Sequence, residues 1–225
     1  MEKIVHQRLE SEGLVKITLP LGTTDLTQPH LPVFVSPDLA KKPRVVVVFG
    51  EAVQDLGIIA HRVIGGHGGV NKGSMVSVVQ ALKAQQCSSG DPTAPGIILA
   101  NPGQTWWWPE GKRALSPSCR HSVPMASAVH WGRYYDPKGN AIPENRTAAE
   151  HIRYMFDKVI PSVATENVVL DVIAVGDAAD HVETYLDQNW ATWSSRMNCL
   201  AILGGFTNQD DLCCDGFKKF LREVR

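Results

Sequence analysis

The sequence predicts an α/β fold: a mainly parallel sheet with helices on both faces, entered through an N-terminal antiparallel hairpin. Two observations carry this. Residues 45–49, 96–100, 168–175 and 199–203 are short β-branched or aliphatic runs, apolar on both faces. A strand of that kind is covered above and below, as in a parallel sheet between helix layers. Residues 74–85, 148–160, 179–193 and 215–225 hold helical patterns between or after these runs. Strand and helix in alternation read as βαβ units with right-handed crossovers.

The opening hairpin is read from two strand-like runs, 14–19 and 31–35, separated by the turn-rich 23–29. Thr147-Ala148-Ala149-Glu150 has capping-box spacing and fixes the start of the second helix. Residues 102–146 form a long connection with six prolines, three consecutive tryptophans and no obvious secondary structure. Long connections are functional or disordered, and the aromatic content favours function. Residues 217–225 are still in a helical pattern where the sequence stops, consistent with a native chain that continues.

A chain of 225 residues can bury one sizeable core, and no linker divides it, so a single domain over 1–225 is expected. Hydrophobic residues at 44 % and charged residues at 20 % exclude the disordered and fibrous classes. A formal net charge of −1 argues against a generally nucleic-acid-coated surface. The five cysteines (87, 119, 199, 213, 214) form no C-x-x-C pair, which excludes a zinc spacing and a disulfide framework and predicts a reducing, intracellular compartment. No apolar run reaches membrane-spanning length, and residues 1–14 lack a signal-peptide core.

Three constellations bear on chemistry. The glycine-rich 65–69 fails as a phosphate loop: Lys72 precedes Gly73, where the motif needs lysine between glycine and serine. Glycines that let the chain turn are the simpler account. The turn Ala174-Val175-Gly176-Asp177-Ala178 stands where a nucleophile elbow would, in an order of elements resembling the α/β-hydrolase core. With Asp177 as nucleophile, Val175 is too large for its flanking position. With Ala174 and Ala178 as the small flanks, the nucleophile position falls on Gly176, which has no side chain. Asp177 is therefore the one weak catalytic candidate, and its expected role is to cap the following helix. His67, His121, His130, His151 and His181 are scattered, and none has a local partner that marks a triad.

The aromatic connection is the strongest binding candidate. Between 103 and 146 six Lys/Arg stand against three acids, interleaved with aromatics. Trp106, Trp107, Trp108, Arg113, Arg120, His121, Trp131, Arg133 and Tyr134 are the candidate contact residues. Neighbouring side chains of an extended segment face opposite ways, so at least one tryptophan is expected to be exposed or to line a groove near Arg113 or Arg133. Such a loop can anchor a protein partner or stack RNA bases. The competing reading is a small satellite core at the end of the sheet.

Residues 45–57, with their Phe49-Gly50-Glu51, residues 98–104, the Trp106-Trp107-Trp108-Pro109-Glu110-Gly111-Lys112-Arg113 stretch and residues 147–161 resemble the Argonaute-binding-protein-two (Arb2-type) domain family. The resemblance covers about 45–205, and the tryptophan stretch is similar to fungal members. It implies an α/β-hydrolase-like fold and a protein-interaction role in RNA-guided silencing or heterochromatin. The implied partners are an Argonaute-complex subunit or a histone deacetylase setting with histones or nucleosomes, in the nucleus or the cytoplasm, with the nucleus favoured; no cofactor and no metal are expected. A hydrolase with a degenerate elbow at Asp177 and an RNA-binding module using 102–146 are the alternatives.

Overall fold

The structure is a computed structural model that describes residues 1–123, 134–206 and 208–223. The chain opens with a helix absent from the sequence reading, α1 (Glu2–Ser11), whose apolar face buries Val5 and Leu9. The predicted hairpin follows as β1 (Val15–Leu19) and β2 (Leu31–Val35). β3 (Arg44–Phe49) leads through the short helices α2 (His61–Ile64) and α3 (Gly69–Gly73) to α4 (Met75–Lys83), where the Ser74 hydroxyl accepts from the Val76 N–H as cap. β4 (Gly96–Ala100) precedes the long connection, which is not structureless. It holds the hairpin β5 (Trp106–Trp108) and β6 (Arg113–Leu115), then one helical turn, α5 (Pro117–Arg120).

Next comes α6 (Ala148–Tyr154), which passes through a π-helical turn (Met155–Val159) into α7 (Ile160–Val163). Thr147 accepts from the Glu150 N–H as expected, but the Glu150 carboxylate reaches back to the Arg146 N–H and guanidinium, one residue earlier than a capping box requires. β7 (Val169–Val175), α8 (Asp177–Trp193), β8 (Met197–Leu203) and α9 (Asp215–Glu223) complete the described chain.

The six-stranded sheet has the order β1-β2-β4-β3-β7-β8. β4, β3, β7 and β8 are parallel, and the hairpin joins antiparallel through β2 against β4. The four predicted core strands are therefore neighbours in one sheet. One face packs Val45, Val47, Phe49, Ile98, Leu170 and Val172 against α6 and α8, and Phe156 there stacks between Phe49 and Tyr185. The other face packs Val46, Val48, Ile97 and Leu99 against α1 and α4. At the N-terminal end of the strands, buried Asp171 accepts from Arg44 Nε at 2.6 Å and Asn198 Nδ2 at 2.7 Å, so its charge is paired and its lone pairs are used.

Candidate functional site

The C-terminal edge of the strands is where open α/β sheets bind ligands. There β7 turns sharply into α8 through Gly176, at φ 61° and ψ −139°. This is a strand-to-helix elbow, flanked at two residues either side by fully buried Ala174 and Ala178. The residue at its apex is Gly176. Asp177 is the first residue of α8, exposed, with no side-chain cap bond, so it complements the helix dipole without capping. Among the described residues no histidine is hydrogen-bonded to Asp177; His130 lies outside them.

Glu51, in the loop after β3, occupies the space above the apex. A Cβ built on Gly176 would fall within van der Waals distance of both Glu51 carboxylate oxygens. Glycine suits the positive φ, and a side chain here would have to displace the Glu51 carboxylate, the free end of its side chain. The loop after β4 closes down on the same place, since a side chain at Gly103 would collide with the Gln54 carbonyl. The cavity left among Glu51, Gln54, Asn101 and Gly103 measures about 10 Å³, no more than one water in size. A carboxylate at the elbow would also repel negative charge developing on a tetrahedral intermediate, where catalysis needs donors.

Behind the elbow a buried polar network locks these loops. His151, fully buried, accepts from the Asn101 N–H at Nε2 (3.0 Å) and faces Asn145 Oδ1 from Nδ1 (2.8 Å). Because an amide N–H can only donate, the ring is neutral with its proton on Nδ1. Burial pushes its pKa down to about 3. Asn101 Nδ2 donates to Gln104 Oε1, which also accepts from the Leu56 N–H, while Gln104 Nε2 donates to Glu2 at 2.7 Å. Burial raises the Glu2 pKa, with Asp55 adding to it and the Gln104 bond opposing. Buried Asp55 accepts from Ser116 Oγ at 2.7 Å and Cys119 Sγ at 2.8 Å; burial, then that bond, push the thiol up to about 11, so it stays protonated and unreactive.

The tryptophan hairpin sits on this network. Trp106 and Trp107 face opposite ways as alternation demands, yet both are buried. Trp107 joins the main core, and Trp106 forms a satellite core with Leu115 and Val123. Trp108 is half-buried, and its ring covers Gly111, where no Cβ would fit. The Arg113 guanidinium lies 5.8 Å from the Trp108 ring and that of Arg120 lies 5.9 Å from Trp106. Arg113 also reaches Glu2 at 3.2 Å, tying hairpin to α1. His121 and Tyr134 are exposed; Trp131 and Arg133 lie outside the described residues. The hairpin thus brings Trp106, Trp108, Arg113 and Arg120 together and turns only the Trp108 edge of the trio outward. Trp108→Ala is expected to leave the domain folded at a cost of ~2–3 kcal/mol, read from urea unfolding, because the ring is only partly buried, unlike Trp106 and Trp107.

Sequence reasoning missed Glu51, Gln104 and the Asp55–Ser116–Cys119 cluster as a group. Their partners lie far apart in the chain, and nothing local marks them. No curated protein and no solved structure significantly matches the chain. The model of the family described as "Arb2 domain" matches residues 1–224, so α1, the opening hairpin, the blocked elbow and the tryptophan hairpin all fall inside it, and the chain belongs to the Arb2 domain family.

Proposed function

We propose that this chain is a non-catalytic protein-interaction domain on a hydrolase-like core, acting in RNA-guided silencing or heterochromatin. The observation that carries the non-catalytic part is the elbow: glycine at its apex, a carboxylate above it, and a cavity of about 10 Å³ where a substrate would need hundreds. Membership of the Arb2 domain family supports the silencing setting, with an Argonaute-complex subunit or histones as partners and the nucleus as the place of action. Trp108, Arg113, Arg120, His121 and Tyr134 are its proposed contact residues, combining exposed or partly exposed aromatics with arginines as interface anchors do. Arg113 and Arg120 already lie against Trp108 and Trp106, so these rings lend no support to base stacking by RNA.

The test is short-chain ester hydrolysis, using p-nitrophenyl acetate and butyrate with wild type and Asp177→Asn. Both proteins are expected to release p-nitrophenol no faster than buffer. Turnover by wild type that disappears in Asp177→Asn would replace this reading with a degenerate hydrolase.

A further inference from the structure

The space missing at the elbow is present elsewhere on the same end of the sheet. A cleft of about 450 Å³, a size usual for small-molecule sites, lies between α1, the β1–β2 hairpin and the start of β6. Thr18 pairs with Pro32 across the hairpin, and Asn101 Nδ2 donates to the Pro32 carbonyl, so the cleft opens beside the loop that leaves β4. Open α/β sheets bind their ligands at this end.

α1 supplies the floor. Val5 and Leu9 turn into the core. Glu2 and His6, one turn apart, line the cleft together with Lys3, which stands three residues before His6 and so beside it on the helix surface. His6 Nε2 lies 3.2 Å from the Leu56 carbonyl. A carbonyl only accepts, so Nε2 carries the ring proton and Nδ1 keeps its lone pair. Burial, then Lys16, lower the pKa to about 4, so the ring is neutral at neutral pH. His6 is only 7 % exposed, yet Nδ1 has no partner among the described residues, on a side chain that lines the cleft. A buried acceptor left unmet is costly, and a ligand that donates to it removes that cost.

The neighbours of His6 say which donor fits. Glu2 lies 4.0 Å from His6 Nε2. One Glu2 oxygen accepts from Gln104 Nε2 at 2.7 Å and the other from Arg113 Nη1 at 3.2 Å, and each keeps a second lone pair. Burial still raises the Glu2 pKa, so its negative charge is under-compensated where it stands; a cationic donor relieves this and a neutral one does not. At the mouth the signs reverse. Arg113 and Lys16 are engaged by Glu2 and Glu10, but Lys3 is exposed and forms no ion pair among the described residues. Leu26, Pro32 and Ala114 make another part of the wall apolar.

We propose that this cleft binds a free α-amino acid with an apolar side chain. The ammonium donates to His6 Nδ1 and the Glu2 carboxylate, the ligand's carboxylate meets Lys3, and its side chain packs on Leu26, Pro32 and Ala114. An ammonium and a carboxylate on one carbon match an acceptor and a cation that one helix holds three residues apart. Binding here is independent of whether the elbow is silent.

The probe is L-leucine, titrated calorimetrically into the whole chain. Isocaproate, which lacks the ammonium, and isoamylamine, which lacks the carboxylate, are the controls on the unchanged protein. Leucine is expected to bind saturably with a Kd below about 1 mM, and each control at least about tenfold more weakly. Lys3→Met should weaken leucine about tenfold and leave isoamylamine unchanged, with the urea midpoint of wild type because Lys3 has no partner to lose. In nitrogen NMR of the imidazole rings, leucine should move the His6 Nδ1 resonance while Nε2 stays protonated, a response that a ligand resting on the surface would not produce. Failure to saturate by about 10 mM leucine would overturn the proposal. So would isocaproate binding as tightly as leucine, which would make the cleft a plain anion site. Leucine binding that leaves His6 Nδ1 unmoved, or that is indifferent to Lys3→Met, would overturn it as well.

Discussion

Gly176→Ala is expected to cost about 1–3 kcal/mol, mostly backbone strain, and slightly less once Glu51 is also alanine. Two separate terms make up the penalty. A non-glycine residue at φ 61°, ψ −139° carries backbone strain whatever surrounds it. The new Cβ also meets the Glu51 carboxylate, which must be displaced. Removing Glu51 abolishes the second term only. Urea unfolding of wild type, both single variants and the double variant isolates the coupling, expected at about 0.5–1 kcal/mol because the carboxylate is the free end of a flexible side chain. Strict additivity would show that Glu51 does not rest on the elbow, and the structural argument for a blocked site would lose its main support. The same reasoning bears on any attempt to restore a nucleophile: Gly176→Ser alone meets the same carboxylate.

The parts of this architecture that were legible in the sequence are those set by local pattern. The runs at 45–49, 96–100, 168–175 and 199–203 announced parallel strands because both faces were apolar, although the last is an edge strand and only partly buried. The sequence offered two registers for the elbow, and the structure has the one with Ala174 and Ala178 as small flanks and Gly176 at the apex. What could not be read were features made by distant partners. α1 was missed because its polar residues serve the fold: His6 donates to the Leu56 carbonyl, and Glu2 accepts from Gln104 across 102 residues of chain, so its pattern looks unlike a simple amphipathic stripe. The tryptophans were read correctly as facing opposite ways. Opposite faces of β5, however, meet two different cores, so alternation did not expose Trp106 or Trp107. Nothing in the order of residues tells a strand that its second face will also be covered.

Stability is expected to fall by about 4–5 kcal/mol between pH 6.5 and 4.5, driven by two histidines that the native state keeps neutral. His151 has both ring nitrogens committed in a fully buried setting, and its pKa lies at about 3. His6, packed against Phe34 and bonded to the Leu56 carbonyl, is held at about 4, chiefly by burial and then by Lys16, with Glu10 and Asp55 opposing; Glu2 lies 4.0 Å away. In the unfolded chain both rings titrate near pH 6.5, so below that pH the unfolded state takes up protons that the native state refuses. The contribution is complete above pH 6.5 and is lost as pH falls toward the native values, with a slope of up to ~1.4 kcal/mol per pH unit for each ring. Glu2 works the other way, because its raised pKa lets the folded protein bind a proton earlier than the unfolded chain, and this softens the lower end of the window. The lowered carboxyls Glu150, Asp25 and Asp91 begin to subtract as pH falls into the ordinary carboxylate range, where the unfolded chain starts to take up protons, so the upper part of the window belongs to the histidines. Urea midpoints at pH 7.5, 6 and 5 measure the slope. His6→Gln, which keeps a donor for the Leu56 carbonyl but cannot be protonated, should remove about half of it. A flat profile in wild type, or His6→Gln with an unchanged slope, would mean that these rings are hydrated in solution and that α1 does not seal the loops behind the elbow.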